Sequence, residues 1–408
     1  MKQPKSTLGS RSGILNTPIF RMESSMKIVI APQAYKGSIS GLGVAEAIRE
    51  GILRVVPDAE TVLVPVADGG DGTLETLVET TGGEIRNVEV TGPLGQQVSA
   101  DWGALGDGET ALVEMARSSG LALVADKDRN PLTATTYGLG EVIKTALDAG
   151  FRRFIVGIGG SATNDAGAGM AQALGVRLLD KNGKNLEVGG AALAHLEKID
   201  MSGLDPRIPD SEFSVACDVS NPLTGPEGAA AIYGPQKGAT PAMVQQLDTA
   251  LLHLAKVVKD DLDAEINDVK GAGAAGGLGG GLIAFLDATL RAGVDIILDT
   301  VKLDKTLYGA ALVITGEGQM DFQTVYSKAP IGVAWRAKKL GVPVIGISGS
   351  LGQGFTDVHQ HGIDAASAIV SGPMSLNEAS ERSHELIAAA AEQAMRHLRV
   401  GERVFGSD

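Results

Sequence analysis

MKIVIAPQAYKGSIS, residues 26 to 40, runs on through GLGVAEAIREGILRVV (41 to 56) and soon reaches TVLVPVA (61 to 67). The reading of this stretch decides the fold. KIVIAP is short, β-branched and stopped by proline, the signature of a buried parallel strand. Ser40 is placed to cap a helix, and Val44, Ile48, Ile52 and Val55 recur at helical spacing to form one apolar stripe. TVLVPVA is then a second strand. Strand, helix and strand within about 40 residues make a βαβ unit.

The same alternation continues outward. Residues 85 to 116 change texture: IRNVEV, QQVSADWGAL and TALVEMA are short β-like pieces divided by TGPLG and GDGE, which predicts antiparallel hairpins. Helix and strand alternate again in YGLGEVIKTALDAG, RFIVGIGG and AGAGMAQALG. Further strands are expected at FSVACDV (213 to 219), ALVITG (311 to 316), VPVIGISG (342 to 349) and AASAIV (365 to 370). Thr240-Pro241 opens a helix with Val244, Leu247, Leu251, Leu254 and Val258 on its buried face. Ser375 and Glu378 read as a capping box for a last helix ending near 398. The class is α/β.

A chain of 408 residues predicts two domains. No apolar run approaches the roughly 18 residues of a membrane helix. The formal charge of −14 and the lack of a dense Lys/Arg cluster argue against nucleic acid as a partner, and a cytoplasmic protein is expected. One cysteine, Cys217, excludes an internal disulfide and is expected to pack as a small core residue. Residues 1 to 25 are polar and mildly basic and lack the centre of a secretory signal. They read as a disordered extension or as sequence upstream of a start at Met22 or Met26; an organellar transit segment is the alternative.

In open parallel sheets, ligands bind beyond the carboxyl ends of strands. The corners there repeat one pattern. Lys36 follows the first strand; Asp68 and Asp71 follow the second, in ADGGDGT. Ser161, Asn164 and Asp165 follow FIVGIGG, Asp218 and Asn221 follow FSVAC, and Glu317 and Asp321 follow ALVITG. Glycine lets backbone N–H groups approach an anion, and short acids beside it can hold Mg²⁺ or a substrate hydroxyl. Gly, Asp and Asn are also ordinary turn residues, so a single corner carries little. Five of them suggest a polar, acidic cleft. Carboxylates, glycine turns and loop lysines (Lys36, Lys237 and Lys328), without histidine or cysteine chemistry, suit phosphoryl transfer.

Other signatures are missing. There is no G-x-x-x-x-G-K-[ST], no H-E-x-x-H and no serine elbow, and the six histidines are scattered. GAGAAG (271 to 276) satisfies G-x-G-x-x-G, but no clean strand precedes it. The glycine-rich GGLGGGLIAFL that follows is either an anion site at a helix start or a helix packed closely on a sheet.

Ten ordered blocks resemble those of the bacterial glycerate kinases of type I: MKIVIAPQAYKGSIS, VPVADGGDGT, TGPLG, GIGGSATNDAGAGM, SGLDP, VACDVSNPLTG, GPQKGAT, GAGAAGGLGGGL, ITGEGQMDFQT and KAPIGVA. The resemblance runs from Met26 to about residue 400. It implies ATP-dependent phosphorylation of D-glycerate, usually to 2-phosphoglycerate, with Mg²⁺. It also implies two α/β domains with the cleft between them. One is flavodoxin-like and discontinuous (26–80 and 290–408); the other is inserted (81–289) and likened to restriction enzymes. A homodimer is the candidate assembly.

On that basis Asp165, Lys36, Asp218 and Asp321 are the expected catalytic residues. Gly159, Gly160, Ser161, Asn164, Asn221, Lys237 and Lys328 are expected to bind substrate or phosphate, and Asp68, Asp71 and Glu317 the metal. Asp165→Asn is expected to fold and to lose most turnover. The chain departs from the usual blocks at Gln33 and Ala34 (commonly Asp-Ser), at Gln319 (commonly Arg), at Phe322 (commonly small), at Ser327 (commonly Gly) and at Ala166 (commonly Gly). An Arg lost from a carboxylate clamp is not a mild change. A kinase for a related small hydroxy acid, or a non-catalytic sugar-acid binding protein, are the alternatives.

Overall fold

The computed structural model describes residues 26–70, 72–326 and 328–405. The expectations for residues 1 to 25 and for Asp71 lie outside the described residues. In chain order the strands are β1 (Lys27–Pro32), β2 (Glu60–Leu63), β3 (Glu84–Thr91), β4 (Gln97–Ala104), β5 (Thr110–Glu114), β6 (Arg153–Gly157), β7 (Arg177–Leu179) and β8 (Lys198–Asp200). After them come β9 (Glu212–Ala216), β10 (Thr289–Arg291), β11 (Leu312–Gly316), β12 (Gln319–Met320), β13 (Val344–Ser348), β14 (Ser350–Leu351) and β15 (Ala365–Ala368).

Two sheets carry the architecture. The first has the order β15-β13-β11-β1-β2, every pair parallel. Read from its β2 edge this is 2-1-3-4-5, the order of a doubly wound, flavodoxin-like sheet. Its inner strand β1, between β11 and β2, is buried on both faces. Ile28 and Ile30 pack with Ile48, Ile52, Leu386 and Ile387. Val29 and Ala31 pack with Val313, Val333 and Ala334 on the other side. Alternate residues pointing to opposite, equally apolar faces are why KIVIAP reads as a continuous hydrophobic run. The expected strand 61 to 67 pairs regularly only to Leu63. The Val64 and Val66 amides still donate to Ile30 and Pro32, and Pro65 interrupts the ladder because it has no N–H.

The second sheet has the order β10-β9-β6-β5-β4-β3. β3, β4 and β5 form the antiparallel meander read from the hairpin texture; β5, β6, β9 and β10 are parallel. One face packs on the helices Tyr137–Asp148, Pro241–Leu262 and Ala274–Leu286. The other carries Leu112 and Ile155 against Leu74, Leu77, Ile296 and Ile297. Helix Gly293–Thr300 therefore joins two cores: Val294 and Leu298 belong to the first sheet, Ile296 and Ile297 to the second. β10 lies across the expected seam between 289 and 290 and pairs within the second sheet.

The last helix differs from expectation. Ser375 Oγ does accept from the Glu378 amide at 3.2 Å, but the helix it starts, Leu376–Glu381, stops at Arg382. A second helix, Ser383–Phe405, then packs on helix Gly41–Leu53. Glu378 turns its carboxylate to Arg382 at 3.1 Å rather than back to the cap.

Candidate active site

The switch point of the first sheet lies between β1 and β11, where the chain leaves in opposite directions. The Gln33 amide donates to Gly316 at 2.8 Å there, and the two strands diverge into the loops carrying Lys36 and Glu317. The Lys36 loop is a tight turn. The amide of Tyr35 donates to Ile39 and that of Ile39 donates back to Tyr35, Gly37 sits at φ 75°, and the buried Tyr35 hydroxyl donates to Ile347 at 2.7 Å. Beyond β6, β9 and β10 the second sheet presents Gly159–Ser161, Cys217–Asp218 and Gly293.

Two cavities meet at this place. One, of about 600 Å³, is lined by Gln33, Lys36, Ser38, Val66 and Gly72 among others. The other, of about 500 Å³, is lined by Gly159, Gly160, Ser161, Asp218, Tyr233 and Tyr326 among others. Asp68, Gly70 and Lys328 line both and form the wall between them.

That wall is an ion pair. Lys328 Nζ donates to Asp68 Oδ2 at 2.9 Å, and Asp68 Oδ1 accepts from the Gly70 amide at 3.2 Å. Burial pushes the Asp68 pKa up. Lys328, the Gly70 amide and a hydrogen bond from Gln33 together outweigh that and hold it below the ordinary carboxylate value. The hydrogen bond to Asp68 raises the Lys328 ammonium in turn. Asp218 is shifted the opposite way. Burial raises its pKa and the nearby charge of Asp68 raises it further, against the Gly293 amide, which donates to Oδ1 at 2.9 Å. Glu317 is pushed up to about 7, mainly by burial, although the Thr324 hydroxyl donates to its Oε1 at 2.7 Å. Neighbouring carboxylates driven apart in pKa are the usual mark of divided acid and base roles.

The structure brings Lys36, Asp68, Gly159, Gly160, Ser161, Asp218 and Lys328 onto the cavity walls. Others are elsewhere. Asp165 is fully buried and faces neither cavity. Its Oδ2 accepts from the Thr136 amide and hydroxyl, both at 2.9 Å, and from the Gly169 amide at 3.2 Å; its Oδ1 accepts from Gly167 at 3.3 Å. It closes the turn into helix Ala168–Ala173. Asn164 is equally buried beside it. Lys237 is 1% exposed and donates from Nζ to the Thr163 carbonyl at 2.6 Å. Asn221 is a strut: Nδ2 donates to Glu227 and Oδ1 accepts from the Tyr233 hydroxyl. Asp321 is taken up in its own turn, accepting from the Gln323 amide and from Gln319 Nε2, each at 2.8 Å. Of the departures from the usual blocks, Gln33 serves Asp68 and Gln319 serves Asp321.

Sequence reasoning passed over Tyr35, Tyr233, Tyr326 and Gly293, whose parts depend on partners far away in the chain. Cys217 was expected in a core. It is half-buried on the second cavity, with Sγ turned to the Val219 carbonyl. GGLGGGL is close packing: a Cβ on Gly276 would meet Thr163 O at 2.0 Å, and one on Gly281 would meet Ala166 O at 1.9 Å. His359 hydrogen-bonds the Ile363 carbonyl through its ring. Among the described residues no cluster of three metal-ligating side chains is present, and no helix is long and apolar enough to cross a membrane.

Comparison with known proteins agrees with this architecture. The glycerate kinase family profile matches residues 28–399. The chain is 52% identical over 373 residues to a glycerate kinase of Halalkalibacterium halodurans, covering 91% of this chain and 97% of that protein. It is 50% identical to the glycerate 2-kinase of Escherichia coli over 381 residues, 93% of this chain and 100% of the other. A crystal structure described as glycerate kinase 2 from Salmonella typhimurium superposes with a TM-score of 0.86 at 49% identity, covering 93% of this chain and all of that one.

Proposed function

The chain belongs to the glycerate kinase family, and from that premise we propose that it transfers the γ-phosphoryl group of ATP to D-glycerate, with Mg²⁺, giving 2-phosphoglycerate. The observation that carries this reading is the Asp68–Lys328 pair standing between two cavities, with Asp218 beside it.

Phosphoryl transfer needs position and charge more than covalent chemistry. The glycerate hydroxyl oxygen bonds to the γ-phosphorus. The bond from that phosphorus to the β–γ bridging oxygen breaks, ADP leaves, and the hydroxyl proton passes to a carboxylate. Asp218 suits the proton: Oδ1 is held by Gly293, the residue lines the second cavity, and its environment raises its proton affinity. Asp68 suits a cation, because its environment keeps it ionised. Mg²⁺ bound by a nucleotide keeps phosphate and water ligands and needs only one or two carboxylates. The residues present therefore fit a metal carried in with the nucleotide, with Asp68 as its protein ligand. It would offset charge on the phosphate oxygens. Lys328, at the wall, would neutralise the group in transit.

The test is turnover with Mg-ATP and D-glycerate, the product identified by phosphorus NMR. Asp218→Asn should lower kcat by about 10²- to 10⁴-fold while leaving the melting temperature close to wild type. A 3-phosphoglycerate product would reject the assigned hydroxyl. Wild-type kcat in Asp218→Asn would remove Asp218 from the proton's path. A kinase for a related hydroxy acid is the second reading, favoured by Gln33, which reaches the wall through its hydrogen bond to Asp68. A panel of hydroxy acids separates the two.

A further inference from the structure

We propose that the two cavities divide the substrates: the nucleotide triphosphate enters the 600 Å³ cavity at the β1 corner, and the hydroxy acid enters the 500 Å³ cavity at the Gly159–Ser161 corner. The proposal rests on the kinase reading above and adds to it which space each substrate takes.

Three features place the triphosphate. The first cavity opens at the switch point of the doubly wound sheet, the crevice in which such sheets take nucleotide-like ligands. Its lysines stand at two places, Lys36 on the turn after β1 and Lys328 on the wall, so a chain of phosphates laid between them meets cations along its length. Ile39, Val66 and Ala67 add apolar lining, of the kind that suits a base.

Different features place the acid. Gly159 and Gly160 are exposed to the second cavity, Gly160 at φ 72°, and their amides have no hydrogen-bond partner among the described residues. Successive free amides in such a turn suit a carboxylate. Gly160 O accepts from the Leu121 amide at 2.8 Å and Ala162 N donates to Ser119 at 3.0 Å, which fixes the turn. Asp218 lines this cavity and not the other, so the proton acceptor stands on the side of the hydroxyl. The phosphoryl group then crosses the wall at Lys328.

One filling variant per cavity tests this in the full chain. A Cβ at Gly159 meets nothing within 4 Å and needs no left-handed backbone, so Gly159→Val fills space without forcing the fold. It should raise the KM for D-glycerate by about tenfold or more and leave the KM for ATP within about twofold. Ala34→Leu, in the first cavity, should do the reverse, and should weaken ADP binding by about tenfold in calorimetric titration without glycerate, where Gly159→Val should not. The exchanged pattern would overturn the division and leave the kinase. Both KM values rising together in each variant would overturn it as well. If the wild type binds ADP but does not phosphorylate glycerate, the kinase reading fails, and the ADP titrations still decide the first cavity.

Discussion

Lys237 donates from Nζ to the carbonyl oxygen of Thr163 at 2.6 Å, a buried ammonium lying beneath the turn that carries Gly159 and Gly160 to the second cavity. The bond joins two segments 74 residues apart and puts a cation next to the buried Asp165 carboxylate.

Burial pushes the Lys237 pKa down from 10.5 to about 7, against the attraction of Asp165. The folded protein thus binds this proton less well than the unfolded chain does. Stability should rise as pH goes from about 7 toward 10.5, where only the unfolded form holds the extra proton. Urea denaturation at pH 7.5 and 9.5 should show a gain of up to about 2 kcal/mol in the wild type. Lys237→Met should lack that gain; an equal slope in both proteins would remove Lys237 as its source.

Asp165→Asn should be a stability variant, contrary to the expectation from sequence. Four donors converge on the carboxylate, and an amide can accept at only one of its two ends. A loss of about 2–4 kcal/mol is expected in denaturant, with kcat of the folded protein reduced by less than about tenfold. A well-folded variant with abolished turnover would return Asp165 to the chemistry.

Glu317 has the opposite linkage to Lys237. Its folded pKa of about 7 lies above the ordinary 4.5, so the folded state binds the proton more tightly. The stabilisation is complete below about pH 4.5 and is lost as pH rises through 7. Glu317→Gln keeps an acceptor for Thr324 and removes the charge. Relative to wild type it should gain about 1–3 kcal/mol between pH 5 and pH 8, read from melting curves at the two values. No relative gain would mean that the carboxylate is solvated well enough to ionise normally.

Gly281→Ala should destabilise by about 2 kcal/mol or more, because its Cβ would fall on the Ala166 carbonyl. The KM values of the remaining folded protein should stay within about twofold. A selective rise in either KM would mean that the glycine-rich helix touches a ligand.

The strands were legible because both sheets bury apolar runs on two faces, and Ile28, Val29 and Ile30 announce that without any partner in view. The corners were legible for a similar reason: a short acid after a strand lies where the sheet presents its loops. What one corner does was not. Asp165 and Asp218 follow strands in the same way, yet Asp165 is sealed by Thr136 from an earlier segment, whereas Asp218 is opened to a cavity by Gly293 from a later one. Lys237 looks like a loop lysine until Thr163 is seen to stand over it. Pairings of that separation leave no local pattern, and the tyrosines on the second cavity went unread for the same reason.

Helix Gly293–Thr300 has one face in each core. Neither sheet can lose its packing without stripping that helix from the other. The chain should consequently give a single calorimetric transition instead of two, with matching calorimetric and van't Hoff enthalpies. Slow amide exchange should also extend without a break from β1 through this helix to β9. Since the helix begins at the amide that holds Asp218, the site should be lost within that same transition and not ahead of it.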